Sequence, residues 1–586
     1  MRYSRKKNEP DRIQLRILLV GIFFSFLYGL IAARAVHLQV FCGDRLSRKA
    51  SGEYLRTYVT SGKRGTIYDR NHTELAVTVD AVSMGIRPAL FSDPNTIAPV
   101  LAKALNMKVT AVKRKLASKQ PFVWLKRTMT AEEAGVVQKI DFPPRAVEFV
   151  TEHKRVYPNN SLAAQLIGFT GIDGNGLEGI EYAWDADLQG ASVKRTVLMD
   201  AKQRRLGAGE DTAENADGHN VILTIDGVIQ YIAEQALEEA VAEADASHGM
   251  AVVMDPHTGE MLAIAHYPTF DINSFGRAGR QVWRNRAVAD AFEPGSVMKV
   301  FLAAGAIESG LCTPDSVFFC EEGKYRVYDH CINDSHEHGW LTIREIIKTS
   351  SNIGAVKIGE RIGPKLLWET LQRFGFNAKP DIECPGSTEG LMSYYTRWTP
   401  VDMSTIAFGQ GVAASAVQLV TAVSAIANGG LLVKPYVVSA VVTPDGQVVR
   451  RRDREIVRRV ISETTAGHLR EMMAAVTTPG GTGEKAAIDG YTVCGKTGTA
   501  QKLNAQGRYT DKDYIASFLG FAPCHNPRIA ALVVINCPRQ GYYGGIVAAP
   551  AFRKIVYESL NYFGVPPEAG DKDSNLMVLA KQGGNG

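Results

Sequence analysis

Three hydrophobic rhythms run along the chain. Residues Ile17–Ala33 (ILLVGIFFSFLYGLIAA) form an uncharged apolar run of 17 residues, close to the roughly 20 that span a bilayer. Arg16 and Arg34 flank it and can snorkel to the interface. Residues 41–215 are mixed: charged stretches alternate with short strand-like runs such as Thr57–Ser61 and Ser83–Ile86, and the glycines of Gly168–Gly179 read as turns. From Val221 the apolar segments lengthen. Val221–Asp226 predicts a strand, about Gly227–Ala246 a helix, and Ala251–Met254 with Met261–Ala265 a hairpin around the PHTGE turn. A helix is expected to begin near Ser296, a long helical region to follow Leu341, and Ser415–Ala427 to form a helix closed by Asn428-Gly429-Gly430. Val437–Val442 and Gln447–Arg450 flank a Pro444-Asp445-Gly446 turn, and late strands are expected at Thr492–Thr499, Ser517–Ala522 and Ile529–Ile535. Helices lying between an early hairpin and late strands predict an α+β domain whose sheet unites both ends of that segment. Residues 205–220 are polar and turn-rich and read as a linker or exposed hairpin. Residues 571–586 read as a polar, glycine-rich mobile tail.

Composition narrows the class. The 586 residues are 45% apolar and 22% charged, which is ordinary globular usage and excludes a mainly disordered, collagenous or polytopic membrane chain. Length alone suggests three or four domains at roughly 100–200 residues each. The net charge of +5 has an address: the first 16 residues carry six basic and two acidic side chains, and the remaining 570 carry 60 and 59. Basic residues ahead of the apolar run place the N-terminus in the cytoplasm and the bulk of the chain outside. So weak and localised a charge argues against a dedicated nucleic-acid binder. A cleaved signal peptide is the rival reading, with Ala33-Arg34-Ala35 as its cleavage site. The run exceeds the usual apolar region of about 7–15 residues and an arginine interrupts that site, so an uncleaved anchor is expected.

Either topology exposes the chain to a compartment that permits disulfides. The eight cysteines include no CxxC pair, which removes thioredoxin-like chemistry and most zinc ribbons. Cys320 and Cys331 bracket a hairpin-like EEGKYRVYDH, with His330, His336 and His338 close by. A disulfide between them is the leading expectation, ahead of free thiols. A zinc site comes last, because the spacing fits no standard pattern. Cys494 reads as a small buried strand residue.

Three short motifs carry chemistry: Ser296-Val297-Met298-Lys299, Ser350-Ser351-Asn352, and Lys496-Thr497-Gly498 followed by Thr499. Each is weak alone. SxxK recurs at Ser4–Lys7 and SxN at Ser559–Asn561, and the bland reading of Ser296 is a helix N-cap after a Pro-Gly turn. Order and context change the odds: SxxK opening a helix, SxN in the helical region, and KTG on a late strand form the serine acyltransferase arrangement. Serine needs a base beside it, and residues three apart on a helix share a face, so Lys299 can reach Ser296. Burial and a second cation, Lys496, would favour the neutral amine. Ser350 can pass a proton to the leaving amine, and Asn352 can hold a substrate amide. Gly498 would let a substrate backbone add to the strand edge. Lys496, Thr497 and Thr499 could grip a terminal carboxylate, with the N–H groups of Ser296 and Thr499 as oxyanion hole. None of this chemistry asks for a cofactor or a metal.

Beyond these motifs the chain resembles the class B penicillin-binding proteins. Arg64–Asn71 (RGTIYDRN) is similar to the family's RGxIxDRxG signature, with His72 where the family has glycine. Gly176–Glu181 resembles its G-[LI]-E block. Asp255–Glu260, Arg284-Asn285-Arg286, Phe292-Glu293-Pro294-Gly295, Phe408–Gly411 and Tyr542–Gly545 also fit. The resemblance runs from about Arg12 to Val565, and the KAAIDGY, KTGTAQK, GRY and YYGG blocks look most like the septal, cell-division subgroup. It implies an α+β transpeptidase domain of the penicillin-binding/β-lactamase type (an antiparallel sheet flanked by helices). A mixed α/β pedestal and one transmembrane helix precede it. The implied boundaries are 1–16 for a cytoplasmic tail, 17–40 for the anchor, 41–215 for the pedestal, 216–570 for the transpeptidase and 571–586 for the tail, so two domains replace the three or four that length suggested.

The implied activity is a peptidoglycan D,D-transpeptidase. Ser296 takes the acyl group of the penultimate D-Ala of a pentapeptide stem, expels the last D-Ala, and yields the acyl group to an amine of a neighbouring stem. The implied catalytic set is Ser296, Lys299, Ser350, Asn352 and Lys496, with Thr497, Gly498 and Thr499 binding substrate. Implied partners are stem peptides, β-lactams, the inner membrane, a membrane glycan polymerase and other division proteins. A D,D-carboxypeptidase or β-lactamase of the same fold, and a non-catalytic division scaffold, are the rival functions.

Overall fold

The computed structural model describes residues 10–47, 55–198, 216–503 and 507–568. The basic residues Arg2, Arg5, Lys6 and Lys7, most of the 205–220 stretch and the 571–586 tail lie outside the described residues.

Two compact units emerge. The first comprises residues up to Gly62 together with Ala191–Ala216. Its helix Pro10–Val36 contains the whole predicted apolar run, and its large apolar side chains, from Ile17 to Ile31, are exposed rather than packed on protein. Residues Arg12–Phe41 are long and apolar enough to cross a membrane. The strands Leu55–Ser61 and Ser192–Leu198 form an antiparallel pair in the same unit.

The second unit, Lys63–Gly190 with Asp217–Gly586, holds both large sheets. In the first sheet, Asn220–Leu223 pairs in parallel with Ile67–Tyr68 and antiparallel with Val438–Val442, whose other neighbour is Val448–Arg451. On the far side, Ile67–Tyr68 pairs with Glu74–Ile86, which in turn carries Val123–Met129 and Val147–Val156. The left-handed turn before Glu74 is made by His72 at φ 60°, which explains why glycine suits that place.

A buried ion cluster fixes this part of the fold. Glu181, fully buried, accepts from Arg64 Nε at 2.6 Å and Arg155 Nε at 2.7 Å, and from Tyr157 Oη at 3.2 Å. Arg64 also reaches Asp185 at 2.6 Å. The RGTI and GLEGIE segments thus meet around one carboxylate. Gly176 is needed there because a Cβ would lie 1.9 Å from the Glu181 carbonyl oxygen.

The second sheet is wholly antiparallel, in the order Cys494–Leu503, Tyr509–Ala522, Ile529–Asn536, His248–Met254, Met261–Tyr267. It unites the early hairpin with the late strands, as the sequence pattern predicts. Ile529–Asn536, His248–Met254 and Met261–Tyr267 read as nearly unbroken apolar runs because both faces are covered there. Ala251 and Val253 pack with the helices Gly227–Glu243 and Ala549–Tyr562. Met250, Val252 and Met254 join the larger core with the helices Met298–Glu308, Asn352–Arg373 and Ala416–Ala427. The last of these is buried at every position, as expected of a helix apolar all round. Cys494–Leu503 is an edge strand of this sheet.

The expected Cys320–Cys331 disulfide is overturned, whereas Cys494 is a buried strand residue as expected. Cys320 and Cys331 are free thiols, and Cys494 is joined to Cys524. Cys320 is buried against Ser351, while Cys331 sits exposed on the hairpin strand His330–Asn333, so their side chains point apart. Cys524 donates its N–H to the Thr492 carbonyl, which brings the Cα atoms of Cys494 and Cys524 to 5.3 Å, the separation a disulfide requires.

Candidate active site

Three segments build the site, each for a local reason. Gly295 adopts φ 56° and donates its N–H to the Gly409 carbonyl at 3.0 Å, turning the chain sharply into the helix Met298–Glu308. Ser296 lies on that turn, half-buried, and its hydroxyl makes no hydrogen bond among the described residues. Lys299, in the first turn of the helix, is fully buried. The helix Ile343–Thr349 ends at Ser350 in a left-handed conformation, φ 63°, and Ser351 then caps the next helix by accepting the Gly354 N–H. Ser350 and Asn352 therefore stand at a corner between two helices. Lys496 comes from the edge strand and is also fully buried.

The side chains converge. Lys299 Nζ donates to the Ser350 carbonyl at 2.5 Å, to Asn352 Oδ1 at 2.7 Å and to Ser350 Oγ at 3.3 Å. Lys496 Nζ donates to the same Ser350 Oγ at 2.9 Å. One hydroxyl thus lies between two buried amines. Burial drives Lys299 down to about 7, against the pull of the Asp334 carboxylate. Burial and the neighbouring Lys299 lower Lys496 well below the ordinary lysine value. Near neutral pH a substantial share of the pair is uncharged, so an amine is available as a base.

The edge strand packs directly on the nucleophile turn. A Cβ on Gly498 would meet Ser517 Oγ at 2.2 Å, the Pro294 carbonyl oxygen at 2.8 Å and Val297 at 3.0 Å. The missing side chain therefore serves close packing inside the protein. Thr497 Oγ1 lies 2.9 Å from Thr482 Oγ1, and Thr499 Oγ1 accepts the Gly544 N–H at 3.1 Å. Gly544 in turn abuts the Ser517 and Gly498 carbonyls, where a Cβ would come within 2.2 Å and 2.4 Å. That contact gives the Tyr542–Gly545 block a structural reason.

Asn352 is bonded within the corner itself. Its Oδ1 accepts from Lys299 and its Nδ2 donates to the Asn333 carbonyl at 3.0 Å. The amide organises the lysine here and keeps a second N–H donor beyond these two bonds. Lys299 likewise turns to the SxN corner instead of Ser296. The second SxN, at Ser559, is buried in the Ala549–Tyr562 helix on the opposite face of the sheet.

Sequence reasoning missed Asp334. Its carboxylate accepts from Ser351 Oγ at 2.5 Å and from the Asn352 and Ile353 N–H groups at 2.5 and 3.1 Å, fixing the corner at a helix N-terminus where an anion is favoured. No spacing rule singles it out. Glu293 was visible within the FEPG block but had no role. It accepts the Gly411 N–H at 2.8 Å and the Tyr509 hydroxyl at 3.0 Å, tying the nucleophile approach to the FGQG loop.

Known proteins resemble this chain. The penicillin binding protein transpeptidase domain matches residues 249–557, and the penicillin-binding protein dimerisation domain matches residues 59–223. The probable peptidoglycan D,D-transpeptidase PenA of Neisseria meningitidis is 35% identical over 563 residues, covering 95% of this chain and 93% of that one. The peptidoglycan D,D-transpeptidase FtsI of Escherichia coli is 32% identical with full coverage of both chains. Penicillin binding protein 3 of Mycobacterium tuberculosis, solved in complex with ampicillin, is 30% identical with a TM-score of 0.68 over 88% of this chain and 98% of that one.

Proposed function

The chain belongs to the penicillin-binding protein transpeptidases, and on that premise we propose that Ser296 is the nucleophile it acylates. The protein is a serine-type D,D-transpeptidase that crosslinks peptidoglycan stem peptides in septal wall synthesis and is a target of β-lactams. Its apolar N-terminal helix fits a single-pass anchor. The basic tail ahead of that helix supports a cytoplasmic N-terminus and an extracytoplasmic enzyme. Residues 41–215 act as a non-catalytic pedestal to the 216–570 transpeptidase domain. Contacts with a membrane glycan polymerase and other division proteins belong to the same reading.

The observation that carries the assignment is the single Ser350 hydroxyl between two desolvated lysines, one of them in the first turn of the helix that Ser296 leads into. Ser296 Oγ attacks the carbonyl of the penultimate D-Ala, and its proton passes to the neutral Lys299 amine. The oxyanion faces the N–H groups of Ser296 and Thr499. Ser350, bonded to both lysines, relays a proton to the departing D-Ala nitrogen as the peptide bond breaks. Lys496, Thr497 and Thr499 hold the donor's terminal carboxylate. A second stem's amine then attacks the Ser296 ester, forms the crosslink and returns the proton to Ser296. Covalent labelling by penicillin tests this: wild type is labelled and Ser296→Ala is not. Persistent labelling of the alanine variant overturns the nucleophile. Unlabelled wild type points to a scaffold, and D-Ala release without crosslinked dimer points to a carboxypeptidase.

A further inference from the structure

The two walls of the catalytic centre continue past it and enclose a second space. One wall is the edge strand. Beyond Thr499 it runs on to Lys502, about 10 Å further at 3.3 Å per residue. The other is the approach to the nucleophile, Ala289–Phe292. The turn and strand are in contact: a Cβ on Gly295 would lie 2.8 Å from the Thr499 carbonyl oxygen and 3.4 Å from Ala500 Cβ. A cavity of about 380 Å³ opens between the continuing walls, bounded by Phe292, Lys502 and Ile515, the pairing partner of Ala500.

Its lining is cationic. Arg284, Arg286 and Lys502 line it together with a single carboxylate, Asp290. Asp290 takes Arg284 Nε at 2.5 Å and Arg286 Nη1 at 2.9 Å. Lys502 Nζ donates to Asn536 Oδ1 at 2.9 Å and lies 3.4 Å from Cys537 Sγ, leaving one of its three donors uncommitted. Burial and the nearby Arg286 and Lys502 hold the His248 imidazole, another wall residue, down to about 4 and therefore neutral. The cations exceed the anions, and no protein carboxylate reaches Lys502 among the described residues.

The direction of the donor follows from the proposed mechanism, on which this inference rests. If the terminal carboxylate sits at Lys496–Thr497 and the reacting carbonyl at Thr499, the remainder of the stem runs along the edge strand toward Lys502. Pairing residue for residue, the donor's third amino acid comes opposite the cavity. In stem peptides that position holds a diamino acid, whose side chain either ends in an amine alone or bears a carboxylate as well. We propose that this cavity is the subsite for the side-chain carboxylate of the donor's third residue, with Lys502 as its direct partner. The protein thus selects stems of the diaminopimelate class over lysine-type or amidated ones.

The test uses the full-length protein and two pentapeptides that differ only in that carboxylate, free in one and amidated in the other. Each is used as a competitor that slows penicillin labelling. Wild type is expected to be protected at about tenfold lower concentration by the free carboxylate, the scale of one charge-assisted bond. In Lys502→Met the ratio between the two peptides falls to near one, whatever the variant's overall rate. In Lys502→Arg it is retained. Equal or equally absent protection of wild type overturns the proposal, as does a ratio that survives Lys502→Met. Wild type that penicillin does not label at all refutes the catalytic reading instead, and the two failures are distinct.

Discussion

Two buried clusters of charge sit in this protein, and they solve desolvation in opposite ways. Around Glu181, cations and anions alternate. Arg64 and Arg155 both meet its carboxylate, Tyr157 adds a hydroxyl, and Asp185 takes the other side of Arg64. Around Ser350 two amines are buried together, bonded only to carbonyl, amide and hydroxyl oxygens, and the one carboxylate that acts on Lys299, Asp334, is taken up by Ser351 and the Asn352 and Ile353 N–H groups. A compensated cluster keeps its charges and fastens the fold. An uncompensated pair of like groups sheds a proton instead. The same loss of solvent therefore produces rigidity in one region and a reactive base in the other, and which of them results depends on the sign of the neighbour.

If that contrast is right, removing a member has different consequences in the two places. Lys299→Ala should slow penicillin acylation by about 100- to 10,000-fold, the range for a lost general base, measured as the second-order labelling rate. A loss under tenfold would refute the role of Lys299. Glu181→Ala should act on folding instead. It leaves Arg155 buried without a counter-charge and Arg64 with Asp185 alone, an expected cost of about 3–5 kcal/mol, read from denaturant or thermal unfolding. Glu181→Gln, which keeps the acceptor and loses the charge, should fall between. An alanine variant as stable as wild type would show that the pedestal cluster is ornamental.

Much of this contrast was legible beforehand, and the illegible part has a common cause. The convergence of Lys299, Ser350, Asn352 and Lys496 is legible because motif spacing is local and a helix or strand translates spacing into position. The five-stranded sheet was legible because both its faces are buried, which leaves unbroken apolar runs such as Ile529–Ile535. Asp334 and the Cys494–Cys524 pair were not legible. Their partners come from other elements: Asp334 meets residues 17 to 19 positions on, and Cys524 reaches Cys494 across 30 residues. The Cys320–Cys331 expectation failed for the related reason that closeness along a hairpin does not fix which side each thiol faces. The packing of Ser517 and Pro294 against Gly498 is likewise invisible in the motif, because both neighbours come from other segments.

Smaller effects sharpen the comparison through protons. With Lys299 at about 7, the acylation rate should fall about tenfold per pH unit below that value, because the amine must be neutral to accept the Ser296 proton, and level off above it. A profile flat from pH 5 to pH 8 (roughly two units to one unit either side) would mean that another group is the base.

Stability offers the finest discrimination, because the catalytic cluster should be a liability to the fold that the pedestal cluster is not. Lys299 titrates at about 7 when folded, against an ordinary value of 10.5. Between those values the unfolded chain binds more protons, so Lys299's contribution to stability rises with pH through that window. Its penalty is full below about 7 and vanishes near 10.5. Lys299→Met removes the penalty and also the like charge beside Lys496. Against that gain, the Ser350 carbonyl and Asn352 Oδ1 lose a donor, and an unmet buried acceptor is itself costly. The net expectation is an inactive protein more stable by roughly 1 kcal/mol at neutral pH, with the advantage shrinking as pH approaches 10. Thermal unfolding of both proteins at pH 7 and pH 9.5, about one unit below the ordinary lysine value, measures it. A gain that grows with pH, or a loss at every pH, would show that the lysine pair stabilises the fold as the Glu181 cluster does.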